Sequence, residues 1–217
     1  MKKIFTVLFV IISVSLFCQA YHFNYYISYK NDYTRDRETS TAEFNQFVNT
    51  EDKSYSGRIV KGEKTKFGLQ IIDYNNNISH YFDLKNNDFP IENKDFVYLR
   101  SVKIKETKTQ FENELKRRFF RSELINDDGN MLNYRIQESK REGSKRSRAT
   151  ADVTFQRYKD DLSSVGLATL FDFQEISKKL SFQEKMIVSE GSIKFDQATV
   201  KIKLSSVENC EITLTVK

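Results

Sequence analysis

Two histidines, His22 and His80, and two cysteines, Cys18 and Cys210, are the residues of this 217-residue chain best suited to nucleophilic, acid-base or transition-metal chemistry. They stand far apart in sequence, and a zinc site needs three or four such ligands at workable spacing, so no dedicated metal centre is expected. His80 alternates with Ile78, Phe82 and Leu84. That places it on the apolar face of a strand, as a hydrogen-bonded core histidine ahead of a catalytic base. Asp73, Asp127 and Asp128 fall in turn contexts whose spacing matches no calcium loop. The chain carries no Gly-x-Ser-x-Gly elbow, no Gly-x-Gly-x-x-Gly and no phosphate-binding loop. No cofactor is expected. The leading expectation is a non-enzymatic binding or structural role, and a secreted hydrolase using carboxylates or His80 is the alternative.

Charge is distributed unevenly. From Arg100 to Arg148 there are 14 Lys and Arg against 8 Asp and Glu, so the positive charge of the chain is regional. The densest runs are Lys116-Arg117-Arg118 with Arg121, and Lys140, Arg141, Lys145, Arg146 and Arg148. The last five are the candidates for binding an anionic partner, an envelope lipid headgroup or an acidic polysaccharide, because clustered cations attract such surfaces. Neither run alternates with aromatic residues as a single-strand nucleic-acid groove does. The formal charge of +5 falls to +3 once Lys2 and Lys3 are removed with a leader, so a nucleic-acid partner is not expected.

The leader is read from Met1-Lys2-Lys3, the apolar run Ile4 to Phe17 and the small residues around Cys18-Gln19-Ala20. A charged start, a short apolar segment and small residues at the −3 and −1 positions are the parts of a secretory signal peptide, with cleavage expected after Ala20. A transmembrane anchor needs about 20 apolar residues to cross roughly 30 Å of hydrocarbon, and this run is shorter. Lipidation of Cys18 is the other processing route, disfavoured by bulky Phe17 before it. The expected organisation is a signal peptide over 1–20 and one β-rich domain over 21–217, exported to the periplasm, outer envelope or exterior, with no transmembrane span in the mature chain. Only Cys210 then remains, on a strand face with Ile212, Leu214 and Val216, which reads as a buried thiol.

The elements that must position these residues are mostly strands. One proline and seven glycines exclude collagen-like and linker architectures, and 39% hydrophobic residues suffice for one core. Alternation marks Phe23 to Tyr29, Phe44 to Val48, Tyr55 to Val60, Phe67 to Tyr74 and Ile78 to Leu84, separated by short polar gaps that favour hairpins. Asn31 to Thr41 reads as a loop, Asn86 to Lys94 as a crossing loop and Phe96 to Ile104 as a strand. Thr107 to Arg118 fits a helix or a strand, with strand favoured. Phe119 to Ile125 and Met131 to Gln137 flank Asp127-Asp128-Gly129-Asn130, the clearest hairpin turn.

Ser139 to Thr150 is polar and basic and reads as an exposed connection before the strand Val153 to Tyr158. The one good helix is capped at its start by Ser163 or Ser164 and carries an apolar stripe of Leu167, Leu170, Phe171, Ile176 and Leu180, ending near Lys178 and Lys179. Strands resume at Met186 to Val188, Ile193 to Phe195, Thr199 to Leu204 and Cys210 to Val216, the last two expected to pair. Lys201 and Lys203 stud one face of Thr199 to Leu204. The fold expected is mainly β, a curved antiparallel sheet or partly open barrel with one covering α-helix.

The ending Cys18-Gln19-Ala20, followed by the meander around Ile71-Ile72-Asp73-Tyr74-Asn75-Asn76-Asn77 and His80-Tyr81-Phe82-Asp83-Leu84, resembles small secreted β-rich envelope proteins of the Bacteroidota type. Some of these are similar in strand pattern to outer-membrane lipoprotein carriers, and the resemblance implies a curved sheet and helix enclosing an apolar ligand such as an acyl chain. The Gly-Leu-Pro-Gly-Leu-Ile motif of a related family is absent, so the resemblance implies no functional residue.

Overall fold

In a computed structural model, the described residues are 19–61, 67–86, 89–104, 113, 116–173, 176, 179–180, 182–195 and 197–216. Among the described residues, eleven strands form one open antiparallel sheet in the order β6-β5-β4-β3-β2-β1-β11-β10-β9-β8-β7. Two sequential meanders, β1 to β6 and β7 to β11, are thus joined by pairing of the first strand with the last. The strands are β1 (Gln19–Arg35), β2 (Glu38–Val48), β3 (Tyr55–Lys61), β4 (Phe67–Asp73), β5 (Ile78–Leu84) and β6 (Phe96–Lys103). The second series is β7 (Phe119–Asp127), β8 (Met131–Ser139), β9 (Ala149–Arg157), β10 (Met186–Phe195) and β11 (Ala198–Val216), with the α-helix α1 (Ser163–Phe171) between β9 and β10.

The chain divides into two compact units: 1–25, 47–103 and 209–217 in the first, and 26–46 and 104–208 in the second. The first unit is built on aromatic packing. Tyr21 and Phe23 are wholly buried and meet Tyr55 edge-on at 4.9 and 5.5 Å between centroids, while Phe47 meets Phe96 at 5.8 Å. Such tilted contacts add to the area each ring buries. In the second unit α1 lies on β10. A Cβ on Gly166 would sit 2.5 Å from the Val188 Cβ and 2.9 Å from the Tyr29 hydroxyl, so only glycine lets the helix come this close. Buried Tyr29 donates its hydroxyl proton to the Val188 carbonyl at 2.9 Å, and Leu162, Leu170 and Phe171 close the apolar side. The helix opens where the Asp161 carboxylate accepts both the backbone N–H and the hydroxyl of Ser163.

Several elements differ from the sequence expectations. Asn31 to Thr41 is not a loop: β1 continues to Arg35 and β2 starts at Glu38, joined by Asp36 and Arg37, both at positive φ. The segment is polar because both of its faces are largely exposed, not because its backbone is irregular. Thr199 to Leu204 does not pair with Cys210 to Val216. Both belong to the single strand β11, and residues 198–203 pair with β10 instead. Met186 to Val188 and Ile193 to Phe195 are likewise one strand, with a bulge between Val188 and Glu190 that returns the apolar set to one face. The helix ends at Phe171, before Lys178 and Lys179, because Asp172 takes a left-handed φ of 46° and its N–H bonds the Ala168 carbonyl. Most of Thr107 to Arg118 lies outside the described residues. Asn113, Lys116 and Arg117, which are described, are helical, contrary to the strand preference. The 127–130 turn is as expected, with Gly129 at φ 92°.

Candidate functional site

The first candidate is a buried polar chain in the first unit. β4 ends at Asp73, β5 carries His80 and β6 carries Ser101, and register sets His80 opposite both Ile71 and Ser101. Asp73 is 2% exposed. It accepts bonds from the Asn76 N–H (2.8 Å) and side-chain amide (2.9 Å), the Tyr21 hydroxyl (2.8 Å) and the Gln19 amide (2.7 Å). Burial opposes its ionisation, but these donors outweigh burial and hold its pKa below the ordinary 3.8.

With its proton committed to Asp73, the Tyr21 oxygen can only accept from His80 Nε2, 2.7 Å away. The tautomer follows. His80 Nδ1 keeps a lone pair and accepts from the Ser101 hydroxyl at 2.6 Å, and Ser101 in turn lies 2.7 Å from the Tyr98 hydroxyl. Burial lowers the His80 pKa below 6.5, only partly offset by the charge on Asp73, so the imidazole is neutral at pH 7. The chain therefore polarises the hydroxyl of exposed Ser101 while satisfying three buried groups. Neither Tyr21 nor Ser101 was singled out by the sequence reading, because cross-strand register, not spacing along the chain, brings them to His80.

The second candidate is a groove of about 630 Å³ in the second unit, on the sheet face opposite α1. Two cross-strand rows form its floor. One runs Lys203, Glu190, Thr154, Asn133, Asn126, and the other runs Lys201, Ser192, Asp152, Arg135. Lys30 and Asp32 of β1 and Ile125 of β7 complete the lining. Arg135 is neutralised by Asp152 at 3.0 Å, Thr154 donates to Asn133 at 2.8 Å, and Asp32 accepts from Thr41 at 2.6 Å. Lys30, Lys201 and Lys203 have no ionic partner among the described residues. Three ammonium groups without a salt bridge among the described residues thus line one groove, together with the carboxylates of Asp32, Asp152 and Glu190. The alternation at Lys201 and Lys203 was the signal available in sequence; Lys30 is added by the β1–β11 pairing.

The sequence-derived anion candidates lie elsewhere. Lys140, Arg141, Lys145 and Arg146 are exposed on the connection between β8 and β9, which places them away from the groove lining. Arg148 stands 3.5 Å from Glu138, a carboxylate 1% exposed that also accepts two bonds from Arg118. Arg148 therefore anchors the end of the connection. His22 is half-exposed, with Nδ1 3.1 Å from the Thr213 hydroxyl. Cys210 is buried, its thiol 3.6 Å from the Phe23 carbonyl, and burial pushes its pKa up to about 12. Among the described residues no three of His, Cys, Asp or Glu converge on a point that could hold a metal. No described helix is long and apolar enough to cross a membrane.

No protein-family model matches the chain, and no curated protein matches it. Solved structures do. A structure of PNGF-II is similar at a TM-score of 0.33 and 13% identity, over 87% of this chain, which spans only 28% of the length of that protein. A LolA superfamily protein from Nitrosomonas europaea is similar at a TM-score of 0.31 and 6% identity, over 85% of each chain. A putative outer membrane lipoprotein-sorting protein domain from Vibrio parahaemolyticus gives 0.32 and 7%, over 86% of this chain and 85% of that one. Likeness at this level carries no residue, ligand or activity to this chain.

Proposed function

We propose that the chain is a non-enzymatic binding protein of the cell envelope, exported by the leader ending near Ala20, whose groove in the second unit holds the anionic headgroup of an envelope lipid. Removal of that leader takes the Gln19 amide with it and leaves Asp73 the Asn76 and Tyr21 donors. One observation carries the reading: Lys30, Lys201 and Lys203 line one groove without a salt bridge among the described residues, and with Arg135 they outnumber its carboxylates, Asp32, Asp152 and Glu190. Each such lysine near an anionic surface contributes about 1 kcal/mol of attraction. The ligand is bound by its charged end, because the apolar side of the second unit is filled by Tyr29, Phe155, Leu162 and Phe171, all 2% exposed or less. In this reading β1 and β11 carry the anion-binding lysines, and Lys140, Arg141, Lys145 and Arg146 of the exposed connection add to the attraction. Native mass spectrometry of protein purified from its host envelope tests the reading. A retained phosphorylated lipid supports it, while a retained acidic polysaccharide or neutral lipid replaces the ligand.

The hydrolase alternative is favoured by a different observation, the 2.6 Å contact between neutral His80 and exposed Ser101. A serine activated in this way reacts with a fluorophosphonate. Labelling of Ser101 that disappears in His80→Gln would select that reading.

A further inference from the structure

β7 is the last strand of the sheet, and among the described residues its outer edge pairs with nothing. An edge of this kind is a template for another strand, and proteins blunt it with charged side chains, proline, a bulge or a cover. β7 has no proline; it carries Arg121, Glu123 and Asp127 and a bulge after Leu124, and Leu124 and Ile125 are 48% and 52% exposed on it, so its charges must be matched by whatever strand pairs there. We propose that the occupant of this edge is a second copy of the chain, paired antiparallel through β7 about a two-fold axis at Ser122.

The register follows from symmetry and charge. A two-fold axis normal to the sheet keeps faces on the same side, so residues of like parity must oppose each other. Centring on Arg121 or on Glu123 sets two like charges against each other across the axis. Centring on Ser122 sets Arg121 against the partner's Glu123 and Glu123 against the partner's Arg121, and Phe120 against the partner's Leu124. The two chemistries also separate by face. Arg121 and Glu123 register with Gln137 and Arg135, on the polar face of β8, while Phe120 packs on Phe171 and Phe173 on the face that carries α1. Glu123 has no ionic partner among the described residues, because Arg135 is taken by Asp152. The partner's arginine supplies one, and the partner's Phe120 covers Leu124. The bulge between Leu124 and Asn126 ends the regular pairing beyond this point.

Sedimentation equilibrium of the full chain over a wide concentration range tests the proposal. The expected result is a reversible dimer. Glu123→Arg places like charges opposite each other twice and should weaken association about tenfold or more. Adding Arg121→Glu to it restores the opposite-charge pairs and should recover the wild-type constant, which a mere folding defect would not. A monomer at every concentration, or a dimer that Glu123→Arg leaves unchanged, overturns the proposal.

Discussion

Asp73, Tyr21 and His80 show how a residue reading is decided by partners that only folding supplies. Alternation puts His80 on an apolar face; what makes it tolerable there is the donor chain from Ser101 to Asp73. Replacing His80 with glutamine should cost about 1 to 3 kcal/mol of stability, the usual penalty of breaking a buried hydrogen bond, and leave anionic-vesicle binding unchanged. Urea unfolding beside a binding assay separates the two effects. The pH dependence has a defined sign. Because folding lowers the His80 pKa below 6.5, the unfolded chain takes up the proton first as pH falls, so stability is present above 6.5 and declines below it. Asp73 acts the same way at lower pH, its contribution being lost as pH falls through its depressed folded pKa. Melting temperatures from pH 7.5 to 5 should therefore fall more steeply in wild type than in His80→Gln, and equal slopes would remove His80 from this account. Cys210, with its pKa raised to about 12, should react with a thiol reagent far more slowly in the native state than in denaturant.

Among the elements, strands with one wet face were legible because alternation survives in them, as in β4 and β5, where expected and observed spans agree within a residue. Polar strands were not legible. The hairpin of β1 and β2 beyond Lys30 is exposed on both faces, and the Ser205 to Asn209 stretch of β11 lacks a continuous apolar set, so both read as breaks. The place of the helix start was legible, though Leu162 and not a serine stands at the N-cap and the Asp161 carboxylate bonds the first turn; the end was not, because the apolar stripe continues to Leu180 while Asp172 turns the backbone. The close packing of α1 on β10 gives a sharp test. Gly166→Ala puts a methyl group within 2.5 Å of Val188, and overpacking of this kind costs about 1 to 3 kcal/mol, measurable as a lowered urea midpoint. The connection from Lys140 to Arg146 is exposed throughout, and its basic residues should be the first trypsin cleavage sites, read by mass spectrometry of the limited digest. Resistance there with cutting elsewhere would show that the connection is held down.

For the whole molecule, the mainly β class and the existence of α1 were readable from composition and period. The joining of the first strand to the last was not, since β1 and β11 lie at opposite ends of the sequence. That joining is also what brings Lys30 to Lys201 and Lys203, and it explains why the densest basic run in the sequence drew attention away from the groove. The most direct test of anion binding in the groove is to compare wild type with the Lys30→Gln, Lys201→Gln, Lys203→Gln triple variant on phosphatidylglycerol and phosphatidylcholine vesicles. At about 1 kcal/mol per lysine, the variant should lose about 100-fold in affinity for the anionic vesicles at low salt. Added salt should weaken wild type towards the variant, because exposed charges are screened within about 10 Å at 0.1 M. Equal binding of both proteins to anionic vesicles, or retention of wild type on phosphatidylcholine as strong as on phosphatidylglycerol, would contradict the assignment.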